Sequence, residues 1–342
     1  MLPRMALAIG LMAVVVAVIA GPMRSAGASH SPPVLDGHRP VAFLVEGSFG
    51  SANIAALDAT GRTLAFGTED GDVLEFALCP GGRRVAEIIG SGTAETTRRF
   101  DLVIREQRTL RLVRRQRLPR YVGSVQCADA TGEHLVVFSS GNDPDKPDGR
   151  LMQITRRSAR TIWRGTAWYA SLGQHVAYLQ VLDVTGTTVL SVNTRTGSAR
   201  KLGTVRLYGA HQLVLNPSGT RLVGDAYDEA RVCCDQLVVI DLTRHPISLR
   251  TIVPPTDFGD VAWFGDNRFG YFANGAMFVY SARLRLLKRV AGWRARSQAV
   301  VGSTVFGVRL NGMLIAAKLP FGPVRVVRQL PGSAYRIVST AR

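Results

Sequence analysis

The sequence predicts an all-β fold on three observations. From about His38 to the end, short runs of β-branched and aromatic residues recur, each bounded by Gly, Pro, Asn or Asp. Beyond the first thirty residues no stretch carries helical periodicity. The turns between the runs return at an interval of about forty residues, the length of one four-stranded propeller blade. Together these predict a single β-propeller over 38–342, preceded by a signal segment at 1–28 and a linker at 29–37.

The N-terminal segment follows the pattern of a secretory signal. Arg4 precedes an apolar run from Met5 to Ala20, Gly21 and Pro22 break it, and Ala26-Gly27-Ala28 offers small residues for cleavage before Ser29. The alternative is an uncut anchor, because the run falls only slightly short of the ~20 residues that span a bilayer. Contact with a membrane is expected only in that case. The first cysteine is Cys79, too distant for lipid modification of the N-terminus.

The strand runs include Val41 to Val45, Leu64 to Phe66, Val73 to Leu78, Leu135 to Phe138, Val189 to Val192, Leu237 to Ile240, Phe269 to Phe272 and Val324 to Val327. Three turns share one pattern: LDATGRTL from Leu57, ADATGEHL from Ala128 and LNPSGTRL from Leu215. In each, an Asp or Asn opens the turn through its side chain and a Gly occupies the position that needs positive φ. Looser copies follow at Gly173, Gly265 and Gly302. From Gly61 and Gly132 through Gly173, Gly219, Gly265 and Gly302 the spacings are 71, 41, 46, 46 and 37. Counting the first interval double predicts seven blades, with Phe100 to Ile104 and Thr109 to Val113 as strands inside it. Six blades with one long insertion is the alternative. A ring must also close: Val41 to Val45 and Tyr335 to Ser339 are expected to meet in one blade, because an open terminal sheet would expose an edge.

This succession of strand, Asn/Asp-Pro/Ala-Ser/Thr-Gly turn, polar residue, Leu and strand resembles the repeat of TolB-type and WD-type β-propellers. The resemblance covers three turns and the blade rhythm. It implies a ring of blades around a channel, used in that family as a docking platform for envelope partners or as a gate for an attached peptidase; no attached peptidase is visible here.

The chain carries 42 Lys and Arg against 25 Asp and Glu, a net charge of +17, and all its cations except Lys146, Lys201, Lys288 and Lys318 are arginines. Charge concentrates from Arg98 to Arg120, where nine arginines face Asp101 and Glu106, and again from Arg283 to Arg296. An exported basic face attracts anionic wall polymers through screened, salt-sensitive forces. Within the first stretch Arg105, Arg108, Arg111, Arg114 and Arg115 are the candidate binding residues. Nucleic acid is not expected as a partner outside the cell, and the stacking aromatics of single-strand binders are missing from this stretch.

Cys79, Cys127, Cys233 and Cys234 allow three disulfide connectivities in an oxidising compartment. A Cys79–Cys127 bond would staple neighbouring parts of the ring and leave Cys233 and Cys234 as a vicinal disulfide or a free pair. Such a pair is similar to that of quinone-dependent dehydrogenase propellers, but the chain has only four tryptophans and no repeated tryptophan motif, so no cofactor is expected. Zinc lacks a CxxC pair with histidines at ligand spacing. NDPDKPDG from Asn142 begins like a calcium loop but lacks the bidentate Glu, so a solvated hairpin and no metal is expected. His211, before the turn at Asn216, could face the channel. GxSxG, HExxH and Gly-rich phosphate loops are missing, which removes α/β-type serine esterases, zincins and nucleotide enzymes. The expected function is an exported, monomeric, non-catalytic propeller that binds an envelope protein or an anionic wall polymer. The alternative is a propeller hydrolase or lyase acting on lactones or glycans at the channel mouth.

Overall fold

The computed structural model describes residues 40, 42–48, 51–92, 99–120, 122–140, 147–183, 186–207, 213–227, 235–256, 259–319, 322–330 and 335–339. The signal segment, the linker, His211, Cys233, Cys234, Asp143 and Asp145 lie outside these residues.

The described chain forms seven antiparallel four-stranded sheets in a ring, a seven-bladed β-propeller. The closing blade is built first, from β1 (Ala42–Ser48), β2 (Ser51–Leu57) and β3 (Thr63–Glu69). Blade 1 holds β4 (Asp72–Leu78), β5 (Arg84–Ser91), β6 (Arg99–Glu106) and β7 (Leu112–Leu118). Blade 2 holds β8 (Ser124–Cys127), β9 (Leu135–Ser139), β10 (Gly149–Ile154) and β11 (Ala159–Gly165). Blade 3 follows with β12 (Tyr169–Leu172), β13 (Val176–Asp183), β14 (Gly186–Asn193) and β15 (Ala199–Val205). Blade 4 comprises β16 (Val214–Leu215), β17 (Arg221–Tyr227), β18 (Asp235–Asp241) and β19 (Ser248–Ile252). Blade 5 comprises β20 (Asp260–Trp263), β21 (Arg268–Ala273), β22 (Ala276–Ser281) and β23 (Leu286–Ala291). Blade 6 comprises β24 (Ala295–Val301), β25 (Thr304–Arg309), β26 (Met313–Lys318) and β27 (Arg325–Gln329). The last strand, β28 (Tyr335–Ser339), returns to β1, pairing Ala42 with Ser339 and Glu46 with Tyr335, so the two ends of the propeller meet as expected.

Both faces of each blade are covered by neighbours, which is why the middle strands read as continuous apolar runs rather than alternating ones. Along β9, Leu135 and Val137 pack toward blade 1 while Val136 and Phe138 pack toward blade 3. Along β1, Leu44 faces blade 6 and Phe43 faces blade 1. One apolar cluster fills each of the seven joints, so the core is a ring of seven small cores.

The innermost strands present a backbone edge that no further strand pairs, and side chains bridge it to the next blade. Cys79 and Cys127 form a disulfide between blades 1 and 2, closing a 48-residue interval as the sequence suggested. Ser124 Oγ donates to the Ala170 carbonyl (3.5 Å) between blades 2 and 3, and Ser171 Oγ donates to the Leu213 carbonyl between blades 3 and 4. Trp263 Nε1 donates to the Val214 carbonyl (2.8 Å) and Gln298 Nε2 to Asp260 (3.0 Å), joining blades 4, 5 and 6. The Ile337 N–H donates to Ser297 Oγ (3.1 Å), and Arg336 Nη1 donates to the Leu74 carbonyl (3.0 Å), carrying the chain of links through the closing blade to blade 1. Every joint of the ring is thus stitched at its inner edge.

The turn chemistry is as the sequence predicts. Asp58 Oδ1 accepts from the N–H groups of Thr60 (2.8 Å) and Arg62 (3.0 Å), and Asn216 Oδ1 accepts from those of Thr220 and Arg221, both at 2.8 Å. Gly61 and Gly219 have φ of 87° and 71°, where a side chain would be strained. Their positions in the blade differ, however. The turns at Gly132, Gly173, Gly219, Gly265 and Gly302 join the first and second strands of their blades, whereas Gly61 joins β2 to β3, the last two strands of the closing blade. The first-to-second turn of blade 1 is instead Cys79 to Arg83, so doubling the interval from Gly61 reaches seven by a different route from the one the chain takes. The run from Thr109 to Val113 begins in the turn after β6 and enters β7, which starts at Leu112.

Candidate functional site

Within the basic stretch, Arg99 to Leu118 form β6, β7 and their connection, and the arginines have different fates; Arg98 lies outside the described residues. Arg105 is buried, 7% exposed. Its guanidinium donates to Glu69 of the closing blade, to Glu87 of β5 (3.3 Å) and to the carbonyls of Leu110 (2.6 Å) and Thr68 (3.1 Å). Arg115 donates to the other oxygen of Glu69. These residues form an ionic clamp across the joint where the ring closes, which removes Arg105 from any ligand-binding surface. The sequence signal for it was absent, because Glu69 precedes Arg105 by 36 residues and lies in another blade.

The Arg105 guanidinium beside Glu87 would by itself hold that carboxyl low. Burial outweighs it: Arg105 faces Glu69 more directly, and Glu87 Oε1 is enclosed without a hydrogen-bond partner among the described residues. The Glu87 carboxyl is pushed up to about 8 by desolvation, opposed by the Arg115 charge.

Arg108, Arg111 and Arg115 are exposed, with Arg111 3.7 Å from Glu106. Arg114 is half-buried, and burial lowers its guanidinium below the ordinary value despite the nearby carboxylates of Glu133 and Asp129. The remaining carboxylate of the suspected calcium loop within the described residues, Asp148, is taken by three arginines. It accepts from Arg120 (3.1 Å), Arg150 (2.6 Å) and Arg164 (2.8 Å), and these hydrogen bonds, Arg150 first, hold its carboxyl well below the usual range. Among the described residues no group of three or more His, Cys, Asp or Glu is placed to hold a metal ion.

Twelve of the cations share one address, the outermost strand of six of the seven blades; the outer strand of the closing blade, β3, carries none and holds Glu69. Arg114, Arg115 and Arg117 lie on β7, Arg160 and Arg164 on β11, Arg200 and Lys201 on β15, Arg250 on β19, Lys288 and Arg289 on β23, and Arg325 and Arg328 on β27. None of these six strands carries an Asp or Glu. A register shift interrupts the pairing of all of them except β19 with its neighbour. Charge and bulges on an edge strand prevent pairing with a second molecule, so the arrangement has a structural purpose whatever else it does.

Where the strands begin on the opposite side from the Asn/Asp-Gly turns, a cavity of about 660 Å³ opens at the channel. Asp225, Asp260, Ser297, Gln298 and Arg336 supply its polar groups, with Phe272 and Ile337 among the apolar ones. Gln298 and Arg336 also take part in the inner stitching, so these polar groups are held by the ring itself.

The fold is a shared one. The chain is similar to apo AztD from Citrobacter koseri, with 13% identity and a TM-score of 0.58 over 87% of this chain and 96% of that one. It is similar to a functionally unknown protein from Desulfotomaculum acetoxidans, with 12% identity and a TM-score of 0.59 over 87% and 99%, and to Kuenenia stuttgartiensis hydrazine synthase, with 11% and 0.52 over 83% and 90%. At such identities the likeness is one of architecture. No family model and no curated protein matches the sequence.

Proposed function

We propose that this propeller is an extracytoplasmic binding module whose cationic outer rim holds an anionic polymer of the cell envelope. The observation that carries the reading is the charge of β7, β11, β15, β19, β23 and β27, which have no carboxylate of their own and expose all their Lys and Arg to solvent except the partly buried Arg114 and Arg328. Edge protection alone would be served by either sign of charge or by a mixture. A single sign repeated on six of the seven blades sums to a positive field that draws a polyanion toward the rim. Export is supported by the signal-like N-terminus and by the Cys79–Cys127 disulfide, a bond favoured in oxidising compartments. The test is retention of the folded protein on an immobilised anionic polysaccharide at low salt, with a neutral polysaccharide as control. Retention on the anionic matrix alone, lost as salt rises, is the expected result; equal passage through both matrices rejects the reading.

A second reading draws on the channel mouth, where Asp225 and Asp260 share one cavity with Arg336. Paired carboxylates beside a cation suit a hydrolase or lyase acting on lactones or glycans. Turnover of such substrates that disappears in Asp260→Asn, with the fold intact, would favour it over the rim.

A further inference from the structure

A second cavity, of about 440 Å³, lies between blades 4 and 5 at the end of the ring that carries the Asn/Asp-Gly turns, and four arginines line it: Arg221, Arg244, Arg250 and Arg283. Their only carboxylate companion in the lining is Asp241. Arg221 is already committed. Its Nη1 donates to the Asp266 carbonyl and to Asn267 Oδ1, both at 3.1 Å, and its Nε stands 3.9 Å from Asp241. Burial opposes charge on Asp241, but hydrogen bonds from Thr243 and the charges of Arg221 and Arg244 hold its carboxyl below the ordinary range. Asp241 is therefore an anion already shared between two cations. Arg250 and Arg283 are exposed and have no hydrogen-bond or ion-pair partner among the described residues.

The walls of this groove are fixed. On the blade 4 side the Leu242 N–H donates to the Thr220 carbonyl (2.9 Å), and on the blade 5 side the Ala282 N–H donates to the Asn267 carbonyl (2.8 Å). The turn that carries Arg283 is closed by the Leu284 N–H on the Ser281 carbonyl (2.8 Å) and the Arg285 N–H on Ser281 Oγ (3.1 Å). Across the groove, the Ser218 N–H donates to Asp266 Oδ1 (2.8 Å), which ties the two blades together. The arginines thus project from two rigid walls, a geometry that lowers the ordering cost of binding.

We infer that this groove binds one phosphomonoester group on a small polar carrier, through Arg244, Arg250 and Arg283. Four guanidinium groups against one carboxylate leave the lining with a charge of about +3, which favours a multiply charged anion over a singly charged one, and a phosphomonoester brings about two negative charges with three strong acceptor oxygens. Guanidinium forks match those oxygens in pairs. The volume falls within the range of small-ligand sites and leaves room for a polyol or single sugar beside the phosphate. The inference does not rest on polymer binding by the rim: a groove for one dianion saturates at a single equivalent, whereas a polymer engages many outer strands.

The experiment is a calorimetric titration of the folded protein with glycerol phosphate, inorganic phosphate, glycerol and acetate. Saturable one-to-one binding of a phosphate, with glycerol and acetate at least about tenfold weaker, is expected. Tighter binding of glycerol phosphate than of inorganic phosphate would identify the carried group as the ligand, and the reverse order free phosphate. The double variant Arg250→Gln with Arg283→Gln should lose about tenfold or more in affinity at an unchanged melting temperature, both side chains being exposed and unpaired. The control variant Arg117→Gln with Arg200→Gln, on β7 and β15, should bind phosphate as the native protein does, even where it weakens polymer retention. No saturable phosphate binding, acetate binding as tight as phosphate, or equal loss in the two double variants would overturn the inference.

Discussion

Arg105 is the residue whose role the structure changes most. Its charge serves two buried carboxylates and two carbonyls at the joint of the closing blade and blade 1. Removing it leaves Glu69 with Arg115 alone and strips four hydrogen bonds from this buried joint, so Arg105→Ala is expected to cost about 3–5 kcal/mol of unfolding free energy, measured by denaturant titration. The cost of Arg115→Ala should be smaller, because that side chain is partly exposed and serves only one end of the clamp. Glu87 adds a pH dependence of definite sign. Its carboxyl titrates near 8 in the fold and near 4.5 in the open chain, so the folded state holds its proton more tightly. Its contribution favours the fold most below about 4.5 and declines as pH rises toward about 8. Glu87→Gln, fixed in the neutral form, should flatten that part of the stability profile; a native-like decline in the variant would show that another group causes it. None of this is legible in the sequence, where Arg105 is one of nine arginines between Arg98 and Arg120 and its partner Glu69 belongs to a different blade.

At the scale of strands and turns the sequence was far more informative, because the signals are local. The Asp and Asn side chains that open the turns at Asp58, Asp129 and Asn216 accept backbone N–H groups two to five residues ahead, and this chemistry can be read from eight consecutive residues. The same locality explains the misplacement of Gly61: the two kinds of hairpin at one end of a blade use the same turn chemistry, so the turn alone does not say which strands it joins. The outer strands show a second limit. Their arginines are visible in sequence as basic clusters, but their common position at the rim requires the pairing order of every blade. Asn216→Ala removes acceptors for the Thr220 and Arg221 N–H groups and is expected to cost about 0.5–2 kcal/mol in thermal or chemical unfolding, by analogy with the loss of other side-chain caps.

For the whole molecule, the ring depends on β28, which supplies the inner strand of the closing blade and the Arg336 and Ile337 links to its neighbours. Deleting Tyr335 to Arg342 should lower the melting temperature by many degrees and expose β1 as an edge prone to association. The Cys79–Cys127 bond, closing 48 residues between two inner strands, should contribute about 2–5 kcal/mol, seen as a loss of stability in the double Ser variant. The first expectation follows from closure, which the paired runs at the two ends of the propeller foretold. The functional surfaces were less legible, since the channel mouth draws on residues from Val214 to Ile337 and the arginine groove on two blades. The proposed polymer site is the rim and not the channel mouth. It is tested most directly by measuring low-salt affinity for an anionic polysaccharide in two variants: one with Arg117, Arg160, Arg200 and Arg325 changed to Gln, the other with Asp225 and Asp260 changed to Asn. The first is expected to lose most of the affinity and the second to keep it; retention by the first and loss by the second would contradict the rim as the site.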